Sequence, residues 1–167
     1  AQQAIINELF NSSLQTDEWL EIVTIQDNLD MRGWSIEDFS SGGSPQVPLS
    51  FSSAALWSAV PAGTIIVIGQ SGATFTEDTD PSDHVLMIKA TNGIYFSGTV
   101  FLFAGTSDAV HLRDASAVHI FGVSWGSANA ASIPSPKVHF TATSTSNTVT
   151  FCAAGTTAGV ATLANWT

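Results

Sequence analysis

Basic residues are scarce in this chain. Four of them (Arg32, Lys89, Arg113 and Lys137) stand against fourteen Asp and Glu, for a formal net charge of −10. A phosphate-binding surface needs clustered cations, and these four are scattered, so nucleic acid and anionic membranes are poor partners. Cysteine is nearly absent. The lone Cys152 cannot close an internal disulfide, and a cysteine-rich zinc site is ruled out. Long apolar runs are missing too. Thr64–Ile68 is strand-sized, far short of a membrane span, so no membrane insertion is expected. No signal peptide is present, and Ala1-Gln2-Gln3 leading straight into a strand reads as a mature end after cleavage. No Gly-x-Ser-x-Gly elbow, phosphate-cradling glycine loop or nucleotide fingerprint occurs. The chain is therefore read as not an enzyme. A small hydrolase stays as a minor alternative, because paired carboxylates reveal themselves only by geometry.

Apolar residues make up 44% of the 167 positions and charged ones only 11%, against roughly a quarter in ordinary soluble domains. One domain with a sizeable core fits this length. So little charge suggests a shared interface, through self-association or neighbouring domains. Clusters of Gly, Ser, Thr, Asn and Asp punctuate short runs rich in β-branched and aromatic residues, the pattern of an all-β chain. Strands are expected at Ala4–Phe10, Glu18–Ile25, Met31–Glu37, Val47–Phe51, Thr64–Ile68, His84–Ala90, Thr99–Phe103, Ala109–Arg113, Ala117–Trp125, Lys137–Thr143 and Thr148–Cys152. Ser53–Ser58 is a weak helical candidate. Asn92-Gly93 reads as a turn needing positive φ, and Pro61-Ala62-Gly63 as a turn feeding a buried strand. Around Asp114-Ala115-Ser116, pairing Leu112 with Val118 and Val110 with Ile120 puts all four on one face. That register sets His111 opposite His119 on the other.

Three segments of the first third form a pattern: Ile6-Asn7-Glu8, then Asp17-Glu18-Trp19-Leu20-Glu21-Ile22, then Leu29 to Ile36 with Gly33-Trp34 inside it. Val60–Ile68 and the Asp108–Asp114 stretch followed by Val118–Gly126 complete the set. Together they resemble the signature of the lamin-tail family over about residues 4–126. The resemblance implies an immunoglobulin-like antiparallel β-sandwich. In bacteria such domains are secreted or sit on the cell surface as binding or spacer modules. The turn Thr24–Asn28 and the insertions between Phe39 and Ala59 and between Gly69 and His84 depart from the family pattern. Loops that would face a ligand are thus this chain's own. The expected organisation is a lamin-tail-like sandwich over 1–126, with 127–167 as an extra C-terminal β-hairpin packed on the same domain. Trp166 near the chain end looks like an unspent anchor, as though a parent protein continues.

Several groups carry candidate chemistry. Asp78, Asp80 and Asp83 form the densest acidic loop, and calcium, which takes roughly six to eight oxygens, is the cofactor it suggests. An exposed acidic turn is the plainer alternative. Asn7, Glu8, Glu18 and Glu21 read as a hydrogen-bonded, solvated acidic face rather than a cation cluster. Asp27, Asp30, Glu37 and Asp38 read as solvated. His111 and His119 make an incomplete metal site with no third ligand in sight, and an exposed cross-strand pair is the preferred reading. His84 and His139 are single and uninformative. Trp19, Trp57, Trp125 and Trp166 invite a carbohydrate reading; Trp34 and Trp125 suit the core, and Trp57, in an insertion, is the candidate platform. Asn11-Ser12-Ser13 and Asn165-Trp166-Thr167 match the glycosylation sequon, which makes Asn11 and Asn165 candidate acceptors. The expected function is that of a non-catalytic, secreted or cell-surface structural or adhesive module of a self-assembling protein. The alternative is a carbohydrate-binding module of a secreted enzyme.

Overall fold

Leu20, Ile22 and Thr24 are buried while Trp19, Glu21 and Val23 between them are half-buried, so one strand shows the period-two pattern that builds the core. A computed structural model describes residues 2–126, 133–141 and 147–150. Its strands in chain order are β1 (Ala4–Asn11), β2 (Trp19–Thr24), β3 (Ser35–Asp38), β4 (Leu49–Phe51), β5 (Ile65–Gly69), β6 (Val85–Lys89), β7 (Phe96–Gly98), β8 (Asp108–Arg113), β9 (His119–Trp125), β10 (Lys137–Phe140) and β11 (Asn147–Thr150). They form a five-stranded sheet, β11-β1-β2-β5-β6, and a six-stranded sheet, β10-β9-β8-β3-β4-β7. The two pack face to face as an all-β sandwich, with Ile6, Leu9, Ile22, Ile66, Ile88, Ile36, Val110, Leu112 and Val123 sealed between them. Among the described residues no helix is long and apolar enough to cross a membrane.

The sheets are mixed rather than purely antiparallel. β5 pairs with β6, and β9 with β10, in parallel. Among the described residues β10 and β11 do not pair with each other as a hairpin: β10 joins the second sheet and β11 pairs with β1 in the first. In β1 the register slips between Ile6 and Glu8. That bulge lets Ile6 and Leu9 both face inward, although three positions separate them.

Two further expectations are corrected. Thr99–Phe103 is not a strand; β7 lies just before it. Asn92-Gly93 needs no positive φ, because Asn92 N–H donates to Lys89 O, and Tyr95 and Phe96 N–H both donate to Asn92 O, in tight right-handed turns. The Pro61–Gly63 turn is as expected, with Gly63 at φ 81°.

Each end of the sandwich has its own plug. At one end a single 3-10 turn, Ala55–Trp57, drops the Trp57 indole between Phe51, Tyr95 and Phe96. At the other, Phe101–Ala104 crosses between the sheets without a ladder of its own. Its backbone is held by side chains instead. Asp38 Oδ2 accepts from Leu102 N–H at 2.9 Å, Glu18 Oε2 from Phe103 N–H at 2.9 Å, and Asp108 Oδ2 from Ala104 N–H at 2.6 Å. Gln70 Nε2 donates to Phe101 O, while Trp125 Nε1 and Asn11 Nδ2 donate to Ala104 O. Buried backbone groups need such partners wherever no neighbouring strand supplies them.

Candidate functional site

The outer face of the first sheet carries a cleft of about 440 Å³, within the range of small-ligand sites. Its wall is a row of aromatic rings set by strand register. Phe10 on β1 lies directly opposite Trp19 on β2, with ring centroids 6.1 Å apart and planes at 29°. Trp19 in turn faces Gly69 on β5. The missing side chain there is what admits the next ring: a Cβ on Gly69 would come within 2.5 Å of Phe75. Phe75 arrives from the β5–β6 crossover. Lys89 Nζ seats it, 4.4 Å from the ring centroid, while donating to Ala73 O. Val67 and Met87 form part of the lining, and Asp17, Glu21 and Thr74 add polar atoms. Glu21 accepts from Asn7 Nδ2 at 2.5 Å, and burial raises its carboxyl above the ordinary value.

A second constellation lies on the outer face of the other sheet. His111 Nε2 is 2.7 Å from Glu37 Oε2, which also accepts from Arg113 Nη1 at 3.2 Å. His111 Nδ1 and His119 Nδ1 are 3.2 Å apart, and His119 Nε2 is 2.9 Å from Pro136 O. Burial pushes both imidazoles below their ordinary value. The histidines meet by a register other than the expected one. Leu112 pairs with Phe121 and Val110 with Val123, so His111 faces Gly122, and His119 faces Arg113. Asp114 Oδ1 accepts from Ser116 and Val118 N–H, and Ala117 takes φ 61°. The turn thereby absorbs residues counted as strand from the sequence. Glu37, the missing neighbour of the pair, comes from β3, where it had been read as solvated.

A third group is the trio Glu18, Asp38 and Asp108 at the sandwich end. Burial raises Glu18 to about 8 and Asp108 to about 7, and raises Asp38 as well. Their backbone donors oppose that shift, and their mutual repulsion adds to it. Glu18 makes the side-chain to backbone hydrogen bond expected at the sheet's end, but it and Asp38 are buried rather than solvated.

The chain matches no protein-family model. No curated protein and no solved structure matches it significantly either.

The residues singled out in the sequence fare differently. Trp57 is fully buried and its Nε1 donates to Tyr95 O at 3.0 Å, so it offers no stacking platform. Its short turn faces the core because Phe51 and Phe96 leave an aromatic-lined hole there. Asn11 is fully buried at the end of β1 and holds Ala104 O, which removes it as a glycosylation acceptor. Asn165 lies outside the described residues, as do Trp166 and Cys152. Asp78, Asp80 and Asp83 do not converge. Each accepts from a backbone N–H two residues on, Asp80, Ser82 and Val85 respectively. Among the described residues no group of three or more His, Cys, Asp or Glu is gathered to hold a metal ion. The row Phe10–Trp19–Phe75 was legible only in part, through Trp19, because Phe75 sits in an insertion far from β2 in sequence.

Proposed function

We propose that this chain is a non-catalytic extracellular binding module whose ligand is a neutral carbohydrate, seated in the cleft beside Phe10, Trp19 and Phe75. The observation that carries this reading is the aromatic row rimmed by carboxylates. Flat rings cover the C–H face of a pyranose, and Asp17 and Glu21 offer acceptors to its hydroxyls. A net charge of −10 disfavours sulfated or phosphorylated ligands, which leaves uncharged sugars. The lamin-tail-like motifs support an extracellular setting.

A glycan array with the intact chain is the first test, followed by calorimetry on the best neutral binder. Trp19→Ala is expected to lower affinity by at least about tenfold, since losing one stacked ring removes more than about 1.4 kcal/mol. Thermal stability should change little, because the Trp19 ring lies on the outer face. Undiminished affinity in Trp19→Ala, or an array with no neutral binder, would overturn the proposal.

A structural, self-assembling role is supported by a different observation. Among the described residues β7 ends its sheet without an outer neighbour, and Val47 and Ile94, which precede β4 and β7, are exposed. Free strand edges are routes to strand addition. Sedimentation over a wide concentration range tests it: a monomer throughout removes this second reading.

A further inference from the structure

The hydrogen bonds around His111 and His119 do not balance without a further positive centre. His111 Nε2 faces the carboxylate of Glu37, and His119 Nε2 faces the carbonyl of Pro136. Both partners only accept, so both Nε2 atoms carry the ring proton. A neutral imidazole has one such proton. Both Nδ1 atoms are then bare, 3.2 Å apart. Moving either proton to Nδ1 repairs that contact and leaves an acceptor facing an acceptor at Nε2. Every neutral arrangement therefore contains one repulsive pair.

We propose that His111 and His119 bind one imidazole-seeking divalent cation of the zinc class through their Nδ1 atoms. Two nitrogens on a tetrahedral ion at about 2.0–2.1 Å lie roughly 3.3 Å apart, close to the spacing already present. Glu37 and the Pro136 carbonyl stand behind the two ligands as the hydrogen-bonded supports that fix the tautomer and ring direction of metal-bound histidines. Gly122 lies beside the pair: a Cβ there would be 3.3 Å from both His111 Cβ and His119 Cε1, and nearer still to Ile133 Cδ1. The remaining coordination positions open toward a surface cleft of about 460 Å³ lined by Phe39, Pro45, Arg113 and Pro134 among others. Water or a donor from a partner completes the shell. With two protein ligands the affinity is modest. The bound ion ties β8 and β9 to β3 and to the segment that leads into β10.

A shared proton is the competing way to relieve the repulsion, and the experiment separates the two. The metal-free chain, without any added polyhistidine, is titrated with Zn²⁺ by calorimetry at neutral pH. Co²⁺ serves as the spectroscopic probe. One equivalent should bind, with the Co²⁺ ligand-field bands of a low-coordinate nitrogen site. His119→Ala should weaken binding by about 30-fold or more, and Glu37→Gln by about 10–100-fold. His84→Ala and His139→Ala should bind as the parent does. His119 sits half-buried at the start of β9, so its alanine variant is expected to fold, and a thermal melt of each variant checks this. Absence of Zn²⁺ binding up to about 1 mM overturns the proposal, and so does binding that survives His119→Ala. A Nδ1-bound proton seen by nitrogen-15 NMR and left in place by excess Zn²⁺ would do the same.

Discussion

Trp57→Ala is expected to destabilise the fold by about 3–5 kcal/mol, the usual cost of emptying a large aromatic site in a core. For a chain of this size that lowers Tm by roughly 6–20 °C. The indole is fully buried, with centroids 4.9 Å from Phe51, 5.6 Å from Phe96 and 6.1 Å from Tyr95, mostly edge to face. Its Nε1 donates to Tyr95 O, and its own carbonyl accepts from Met31 N–H at 2.8 Å. Side-chain truncation leaves the backbone bond available but removes the ring contacts that hold β4 and β7 to the crossing chain. Trp57→Phe keeps a ring in the site and gives up the side-chain hydrogen bond together with the smaller part of the indole's volume. Tyr95 O retains Ser52 N–H as a donor, so this variant should lose only about 1–2 kcal/mol. The contrast with Trp19→Ala is the decisive comparison, since that change should spare the fold and remove the ligand. A Trp57→Ala chain that melts like the parent while losing sugar binding would reverse the two assignments.

Stability should fall as pH rises from about 5 to about 8.5, with Glu18 as the largest contributor. Its folded value of about 8 lies above the ordinary 4.5, and Asp108 at about 7 lies above 3.8. Between each pair of values the folded chain keeps a proton that the unfolded chain releases. Stabilisation is therefore complete below the ordinary value and is lost as pH climbs through the folded one, at up to about 1.4 kcal/mol per pH unit for each group. Among the described residues Glu18 Oε1 is a buried oxygen with no hydrogen-bond partner, which is how a protonated acid that has yet to find an acceptor looks. Glu18→Gln imitates that neutral acid at every pH and retains an oxygen for Phe103 N–H. It should match the parent near pH 5 and exceed it by about 2 kcal/mol or more near pH 8.5. Melting curves across pH for both proteins check this. A parent whose Tm rises steadily from pH 5 to 8.5 contradicts the assignment, as does a Glu18→Gln profile parallel to the parent's.

Much of the sandwich was written in the alternation of single strands. Leu20-x-Ile22-x-Thr24 and the apolar run at 64–68 point to their own faces without help from distant residues. Trp34 and Trp125, read as core, are buried. What failed depends on partners remote in sequence. Trp57 is interior because Phe51, Tyr95 and Phe96 surround it, and an isolated insertion carries no trace of that. Glu18, Asp38 and Asp108 resemble solvated carboxylates until a chain segment without a ladder crosses above them. The His111–His119 contact came out of a wrong register, since a left-handed Ala117 shifts the pairing, and local alternation cannot count the residues in a turn. Gly69 was silent as well: its meaning lies in the Phe75 ring that occupies its space.

The placement of β10 and β11 in opposite sheets has a consequence for biosynthesis. β1 is made before the other strands of the sandwich, yet its outer neighbour, β11, comes about 140 residues later in the chain. At typical translation speeds of about 5–20 residues per second, the leading strand waits on the order of ten seconds with an open flank. Over that interval β1 has no strand to cover its outer flank, and the same holds for β9 until β10 is made.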